Sequence, residues 1–196
     1  MRIKNIPSIA GALAAAALLA CSPGAQAGVV VFSDGFESGD FSAWTDGTNA
    51  VWDGVDGLAP QAGNFAAFFG NPGGTSTIST SLSTVAGGKY LVSFWLQNEA
   101  DVTGNAAPNS FGASVGGTTQ MSLSNAPGFG YTEYVIGFEG TGGNVDLSFA
   151  FSQTAAFWDF DSVTVTLPEP ASLALVGLAG ALMAGTRRRK AQPPSP

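Results

Sequence analysis

The amino-acid sequence predicts an all-β domain, a β-sandwich of the jelly-roll type, flanked by two segments of a different kind. Short runs of alternating apolar and polar residues recur between residues 28 and 167, and Gly-rich turns separate them. No stretch of this segment keeps a helical periodicity over three turns. Eight to ten strands at this spacing are typical of two packed antiparallel sheets.

The strands are predicted in chain order at residues 28–32, 64–69, 75–84, 89–97, 111–115, 118–123, 131–138, 144–151 and 157–166. Gly116 and Gly117 separate two of them and predict a two-residue hairpin. Three Asp-Gly pairs, which begin at Asp46, Asp53 and Asp56, are predicted to form turns.

The strand at residues 89–97 has the strongest pattern, because apolar residues occupy both of its faces. One face carries Tyr90, Val92, Phe94 and Leu96, and the other carries Leu91 and Trp95. We therefore expect this strand to be central and covered on both sides. The alternation in residues 144–151 predicts that Val145, Leu147, Phe149 and Phe151 point inward.

The N-terminal 27 residues have the pattern of a secretory signal peptide. A basic start precedes an apolar run at residues 9–20, and Ala25-Gln26-Ala27 fits an A-x-A cleavage site. We expect cleavage between Ala27 and Gly28. An alternative stays open, because residues 18–21 resemble a lipobox, which would make Cys21 an acylated first residue.

The segment 168–190 combines a rigid break, an uncharged apolar run at residues 171–185 and a basic cluster. The run is short for a bilayer about 30 Å thick, yet it suffices where the bilayer is thinned. Basic residues after the run favour a cytoplasmic C-terminus, which places the body outside the cytoplasm. Residues 191–196 are predicted to be a disordered tail. The residues that define the break and the cluster are Pro168, Glu169, Pro170, Arg187, Arg188, Arg189 and Lys190.

This tripartite tail resembles the PEP-CTERM sorting signal. The resemblance implies processing by an exosortase, a membrane-embedded transpeptidase-like protease, after a transient stay in the inner membrane. The destination it implies is the cell surface or an exopolysaccharide matrix. The resemblance covers about the last 30 residues and says nothing of what the body does.

The composition of residues 28–167 excludes several kinds of chemistry. Of the fourteen Asp and Glu residues only Glu169 lies outside this segment, and of the seven Lys and Arg residues only Lys89 lies inside it, so its net charge is −12. Such a charge excludes nucleic acid as a partner. The chain has no His, and its single Cys lies in the leader, so neither a His-based triad nor a disulfide can form.

The two ends of the body resemble the opening and closing strands of carbohydrate-binding, galactose-binding-like jelly rolls. The matching residues are Gly35-Phe36-Glu37 followed by Trp44, and Asp161-Ser162-Val163. The resemblance implies that the first and last strands lie side by side and that Trp44 packs in the core. It also implies a structural Ca²⁺ ion held by Glu37 and Asp161, and hard cations do prefer carboxylate and carbonyl oxygens.

A glycan-binding face would combine exposed aromatic rings with amides and carboxylates. The candidates are Trp52, Trp95, Trp158, Gln97, Asn98 and Gln153. The sequence carries no recognisable catalytic motif, so we expect a non-catalytic protein that binds polysaccharide or has a structural role. Adhesion to other proteins through the sandwich is the alternative, and hydrolysis of a matrix polysaccharide is a more remote one.

Overall fold

The computed structural model describes residues 28–47, 51–100, 104 and 108–168. The predicted signal peptide with Cys21 and Ala27, the sorting signal from Glu169 onward and the tail at 191–196 lie outside the described residues. Residues 28–168 form one compact unit. No helix among the described residues has the length and apolar character needed to cross a membrane.

Eleven strands make up the described part of the chain. They are β1 (Val29–Asp34), β2 (Thr45–Asp46), β3 (Asp53–Asp56), β4 (Ala66–Phe69), β5 (Ser76–Ser83), β6 (Lys89–Asn98), β7 (Asn109–Val115), β8 (Thr118–Ser124), β9 (Phe129–Glu139), β10 (Asn144–Gln153) and β11 (Trp158–Leu167).

The strands form two antiparallel sheets. The six-stranded front sheet has the order β3-β4-β11-β6-β9, with β1 also paired to β11, and the five-stranded back sheet has the order β2-β5-β10-β7-β8. The predicted all-β sandwich is therefore confirmed. The first and last strands also lie side by side as expected, since Val29 pairs with Leu167 and Asp34 with Val163.

The core lies between the two sheets and is rich in aromatic rings. The inward faces of β6 and β10 are confirmed, since the eight residues predicted there are all buried. Phe94 and Phe149 meet across the interface with ring centroids 5.1 Å apart, and Phe69 stacks on Phe151 at 3.9 Å. Burial of one such side chain contributes roughly 1.5–3 kcal/mol, so these rings hold the sheets together.

Trp44 lies in this core as predicted and is only 8% exposed. Its ring contacts Phe32, Phe36 and Phe149. Its Nε1 donates a hydrogen bond of 2.6 Å to Oδ2 of Asp34, which satisfies the one polar group that the indole would otherwise bury.

Two sequence predictions about the strands are wrong. β6 is central, between β11 and β9, but its outer face is only partly covered: Leu91 there is 43% exposed and Trp95 is half-buried. Of the predicted Asp-Gly turns, Asp46 lies in β2 instead, and Asp53 and Gly54 lie within β3. A Cβ at position 54 would come within 2.7 Å of the Phe68 ring on the next strand, so glycine is required here by packing and not by a turn.

Other turn predictions are confirmed. Gly116 and Gly117 connect β7 to β8 with φ angles of 55° and 77°, as a type I′ hairpin turn requires. The Leu58 amide donates to Oδ1 of Asp56, the local bond by which Asp favours a turn.

Candidate functional site

One end of the front sheet presents a row of side chains on its outer face. The strand pairing places Gly54 beside Phe68, Phe68 beside Asp159, and Asp159 beside Gln97. Residues directly opposite one another on neighbouring strands project from the same face of a sheet. Because Trp158 points into the core, the alternation along β11 directs Asp159 outward.

A depression of about 150 Å³ lies on this outer face. We name it the acidic cleft, because three of its seven lining residues are carboxylates. The lining residues are Asp56, Leu58, Ala59, Phe68, Glu99, Phe157 and Asp159.

Two phenylalanine rings form the apolar wall of the acidic cleft. Phe68 and Phe157 meet edge to face, with their centroids 5.6 Å apart. Phe68 lies over the backbone of Gly54, and a Cβ at Gly70 would come within 2.5 Å of the Phe157 ring. Because Gly54 and Gly70 have no Cβ, both rings pack directly against the backbone.

Burial, together with neighbouring negative charge, raises the pKa of two carboxyls in the cleft, Asp159 and Glu99. Asp159 is 4% exposed, and burial, followed by the charge of Glu99, raises its pKa to about 7. A hydrogen bond of 2.8 Å from Nε2 of Gln97 to Oδ2 of Asp159 opposes this shift. Burial and the charge of Asp56 raise the pKa of Glu99 as well. The cleft is therefore short of positive charge and of hydrogen-bond donors.

The loop at residues 57–65, between β3 and β4, reaches across the outer face of the sheet. Oη of Tyr131, on the distant edge strand β9, donates to the Ala59 carbonyl at 2.8 Å. The amides of Gln61 and Ala62 donate to Oδ2 of Asp161 on β11, at 2.9 and 3.1 Å. Burial and the neighbouring carboxylates raise the pKa of Tyr131, so its hydroxyl stays a donor.

Glu37 binds the other end of the same loop. Its Oε1 accepts hydrogen bonds from the amides of Asn64 and Phe65, at 2.9 and 3.1 Å. Its Oε2 accepts from the amide and the side chain of Asn64. These backbone donors hold the pKa of the exposed Glu37 carboxyl below its usual range.

The donor sets around Glu37 and Asp161 do not fit a shared Ca²⁺ ion. Calcium takes six to eight oxygen ligands, whereas here both carboxylates accept hydrogen bonds from backbone N–H groups. Within the described ranges, no three His, Cys, Asp or Glu side chains gather as a metal site would require. The predicted binding of Ca²⁺ stays an untested prediction.

Three of the six predicted glycan-binding residues lie near the cleft. Gln97 orients Asp159, and Trp95 is half-buried two residues away on the same strand face. Trp52 is 57% exposed and lines a neighbouring depression of about 190 Å³, which shares Phe157 with the acidic cleft.

The other three predicted residues belong to the interior and offer no face to a ligand. Trp158 is fully buried, and its Nε1 donates to the Ser152 carbonyl at 3.0 Å. Asn98 and Gln153 are also buried, and Nε2 of Gln153 donates to Oδ1 of Asn98 at 2.7 Å. This amide pair crosses from the front sheet to the back sheet and satisfies polar groups inside the sandwich.

Sequence reasoning missed five of the cleft residues as members of a site: Asp56, Phe68, Glu99, Phe157 and Asp159. A signal was present in residues 157–160, where Phe-Trp-Asp-Phe alternates two aromatic residues with Asp159. Assigning Trp158 and Phe160 to the inward face would have directed Phe157 and Asp159 outward.

The fold is similar to those of several solved carbohydrate-binding modules. TmCBM61, solved in complex with β-1,4-galactotriose, is 19% identical with a TM-score of 0.51, over 68% of this chain and 94% of that one. The C-terminal family 22 carbohydrate-binding module of Clostridium thermocellum Xyn10B is 14% identical with a TM-score of 0.53, over 72% of this chain and 96% of that one.

An adhesin domain has the same fold. The K3 cleaved adhesin domain of Lys-gingipain from Porphyromonas gingivalis is 13% identical with a TM-score of 0.54, over 71% of this chain and 99% of that one. No protein-family model matches the chain, and neither does any curated protein. At these identities the likeness establishes the fold alone, a β-sandwich of the jelly-roll type.

Proposed function

We propose that this protein is an exported, non-catalytic glycan-binding module and that the acidic cleft is its binding site. The observation that carries the proposal is the pairing of the Phe68 and Phe157 rings with three carboxylates in one depression. The fold supports it, since the solved modules of the same architecture include one in complex with a galactotriose.

The chemistry of the cleft suits a sugar chain rich in hydroxyl groups. Aromatic rings cover the apolar faces of sugar rings, and carboxylates accept hydrogen bonds from hydroxyls. The half-buried carboxylates of Asp56 and Glu99 are available to such donors, while the buried Asp159 is held by Gln97. A uronic-acid polymer would place negative charges against three carboxylates on a body of net charge −12, so the ligand is a neutral or cationic glycan.

The position of the cleft suits a body that is attached at its C-terminus. Asp159 lies eight residues before Leu167, and the strand rises about 3.3 Å per residue, so the cleft is about 26 Å from the end of β11. Beyond Leu167 lies the predicted sorting signal. If the chain is attached beyond Leu167, the cleft lies at the opposite end of β11 from the attachment.

Replacing Phe157 by alanine in the full chain should weaken binding to the exopolysaccharide of the source organism about fivefold or more. The reason is that loss of one stacked ring costs at least about 1 kcal/mol and also removes the partner of Phe68. Pull-down or affinity electrophoresis measures this loss. Val135→Ala, an exposed change on β9 outside the cleft, is the control and should bind as wild type does. Equal binding by both variants would place the site elsewhere.

We also propose that an exosortase cuts the chain near Pro168, Glu169 and Pro170 and that the body then leaves the inner membrane for the cell surface or matrix. Mass spectrometry of surface and matrix protein should then find a C-terminus close to Leu167. Recovery of the intact basic cluster only in the inner membrane would contradict this proposal.

The likeness to an adhesin domain keeps protein–protein adhesion as a second candidate. A glycan array separates the two, because an adhesion module that recognises proteins would bind no sugar on it.

Hydrolysis is the third outcome to test, since a carboxyl such as Asp159, with a pKa near 7, can act as a general acid. Incubation with xylohexaose should release no reducing ends.

A further inference from the structure

The loop at residues 57–65 is held by two carboxylates, one from near the start of the domain sequence and one from near its end. Glu37, just after β1, accepts from the amides of Asn64 and Phe65, and Asp161, on β11, accepts from those of Gln61 and Ala62. All four amides belong to this one loop. A backbone segment that directs several N–H groups at carboxylates is an anion-binding arrangement made by the chain itself.

The fit between the loop and Glu37 is tight. Gly63 has a φ of +69°, a conformation in the left-handed region that favours glycine. A Cβ at this position would come within 2.2 Å of Oε1 of Glu37. The local sequence thus supplies both the backbone freedom and the space that the carboxylate needs.

A second set of contacts ties the same loop to the cleft. Leu58 and Ala59 line the acidic cleft, and the Ala59 carbonyl accepts from Tyr131. Ser162, which has a φ of +53°, lies beside the loop with its Oγ 3.2 Å from Oε1 of Gln61. The loop is therefore one wall of the cleft, and its position depends on the residues that hold it.

We propose that Glu37 and Asp161 form a metal-free clasp, in which backbone N–H groups take the place of a cation and fix the cleft wall for ligand binding. The part that concerns ligand binding rests on the proposed function. Hydrogen bonds from N–H groups to ionised carboxylates are about twice as strong as neutral ones, so the clasp is a stable substitute for a metal. A Ca²⁺ ion at these oxygens would have to displace the four amides first.

The clasp is tested by hydrogen exchange of the full chain, followed by mass spectrometry on peptides that span residues 57–65. In wild type, protection of this loop should be the same in EDTA and in millimolar Ca²⁺. Glu37→Gln should lower protection several-fold in both buffers, since a neutral amide accepts weaker hydrogen bonds from the loop than an ionised carboxylate does. Asp40→Asn is the matched control, because the Asp40 carboxylate accepts hydrogen bonds from Ser38 and Ser42 of its own segment.

Affinity for the exopolysaccharide, measured on the same variants, tests the role of the wall. Glu37→Gln should weaken binding several-fold while Asp40→Asn leaves it unchanged. Protection that rises with Ca²⁺ in wild type but not in Glu37→Gln would overturn the clasp in favour of a calcium site. Equal protection in wild type and Glu37→Gln would overturn it as well. Normal protection in a wild type that binds no glycan would instead contradict the proposed function and leave the metal-free clasp in place.

Discussion

Replacing Phe160 by alanine should lower the free energy of unfolding of the body by about 3–5 kcal/mol, the usual cost of removing a buried phenylalanine ring. Phe160 is fully buried on β11 and contacts rings from both sheets. Its neighbours are Phe36, Phe94, Phe111, Phe149 and Phe151, at centroid distances of 4.7 to 6.5 Å.

Denaturant unfolding of residues 28–168, followed by fluorescence of the tryptophans, measures this loss. Since a domain of this size is stable by about 5–15 kcal/mol, the variant should be close to unfolding at ordinary temperatures. Leu91→Ala is the control, because Leu91 lies partly exposed on the outer face of β6 and should change stability by no more than about 0.5 kcal/mol. A small effect of Phe160→Ala would mean that the sheets do not pack through this ring.

Replacing Asp159 by asparagine should stabilise the protein at pH 8 by a few kcal/mol and leave it nearly unchanged at pH 4. The folded state raises the pKa of Asp159 from 3.8 to about 7. Between these values the folded state keeps a proton that the unfolded state gives up, so wild-type stability falls as the pH rises through this window. Asparagine cannot ionise, and its carbonyl can still accept the hydrogen bond from Gln97.

The measurement is the free energy of unfolding at pH 4 and at pH 8 for the two proteins. The slope between them should be clearly shallower in Asp159→Asn, with a residual slope from Glu99, whose pKa burial also raises. Thr166→Val, an uncharged change on the same strand, should keep the wild-type slope. An identical slope in Asp159→Asn and wild type would show that this carboxyl is not buried as the structure places it.

The long strands could be predicted because period-two alternation is a local property of the sequence. The inward faces of β6 and β10 needed nothing more than this pattern. β2 and β3 were missed for the same reason, because two and four residues are too few to establish an alternation. In β3 the Asp53-Gly54 pair is also typical of a turn. The glycine is favoured here for another reason, because the ring of Phe68, fourteen residues later, packs where a Cβ would lie.

The acidic cleft could be predicted only in part, since its residues come from distant strands. Alternation in β11 indicates that Asp159 and Trp158 face opposite ways, but no local pattern places Asp159 between Phe68 and Gln97. That arrangement depends on which strands pair and in which register. The same holds for Asn98 and Gln153, whose hydrogen bond across the sandwich joins residues 55 positions apart and leaves no trace in either segment.

The resemblance to galactose-binding-like jelly rolls pointed to Glu37 and Asp161, but the hydrogen bonds that these residues make could not be predicted from it. Glu37 and Asp161 both lie at the loop at residues 57–65, as a shared role requires. What they contact there is a set of backbone amides. The sequence of the loop does not show whether its N–H groups or its carbonyls face the two carboxylates, because every residue except proline has both groups.

The most direct test of the acidic cleft as a glycan site is an NMR titration of isotope-labelled residues 28–168 with xylohexaose and, separately, with galactotriose. We predict that at least one of these sugars shifts the amide resonances of Phe68, Glu99, Phe157 and Asp159, while the outer face of the back sheet at Gln120 stays unchanged. Shifts confined to the back sheet, or a body that binds polysaccharide with no shift in these four resonances, would contradict the assignment of the site.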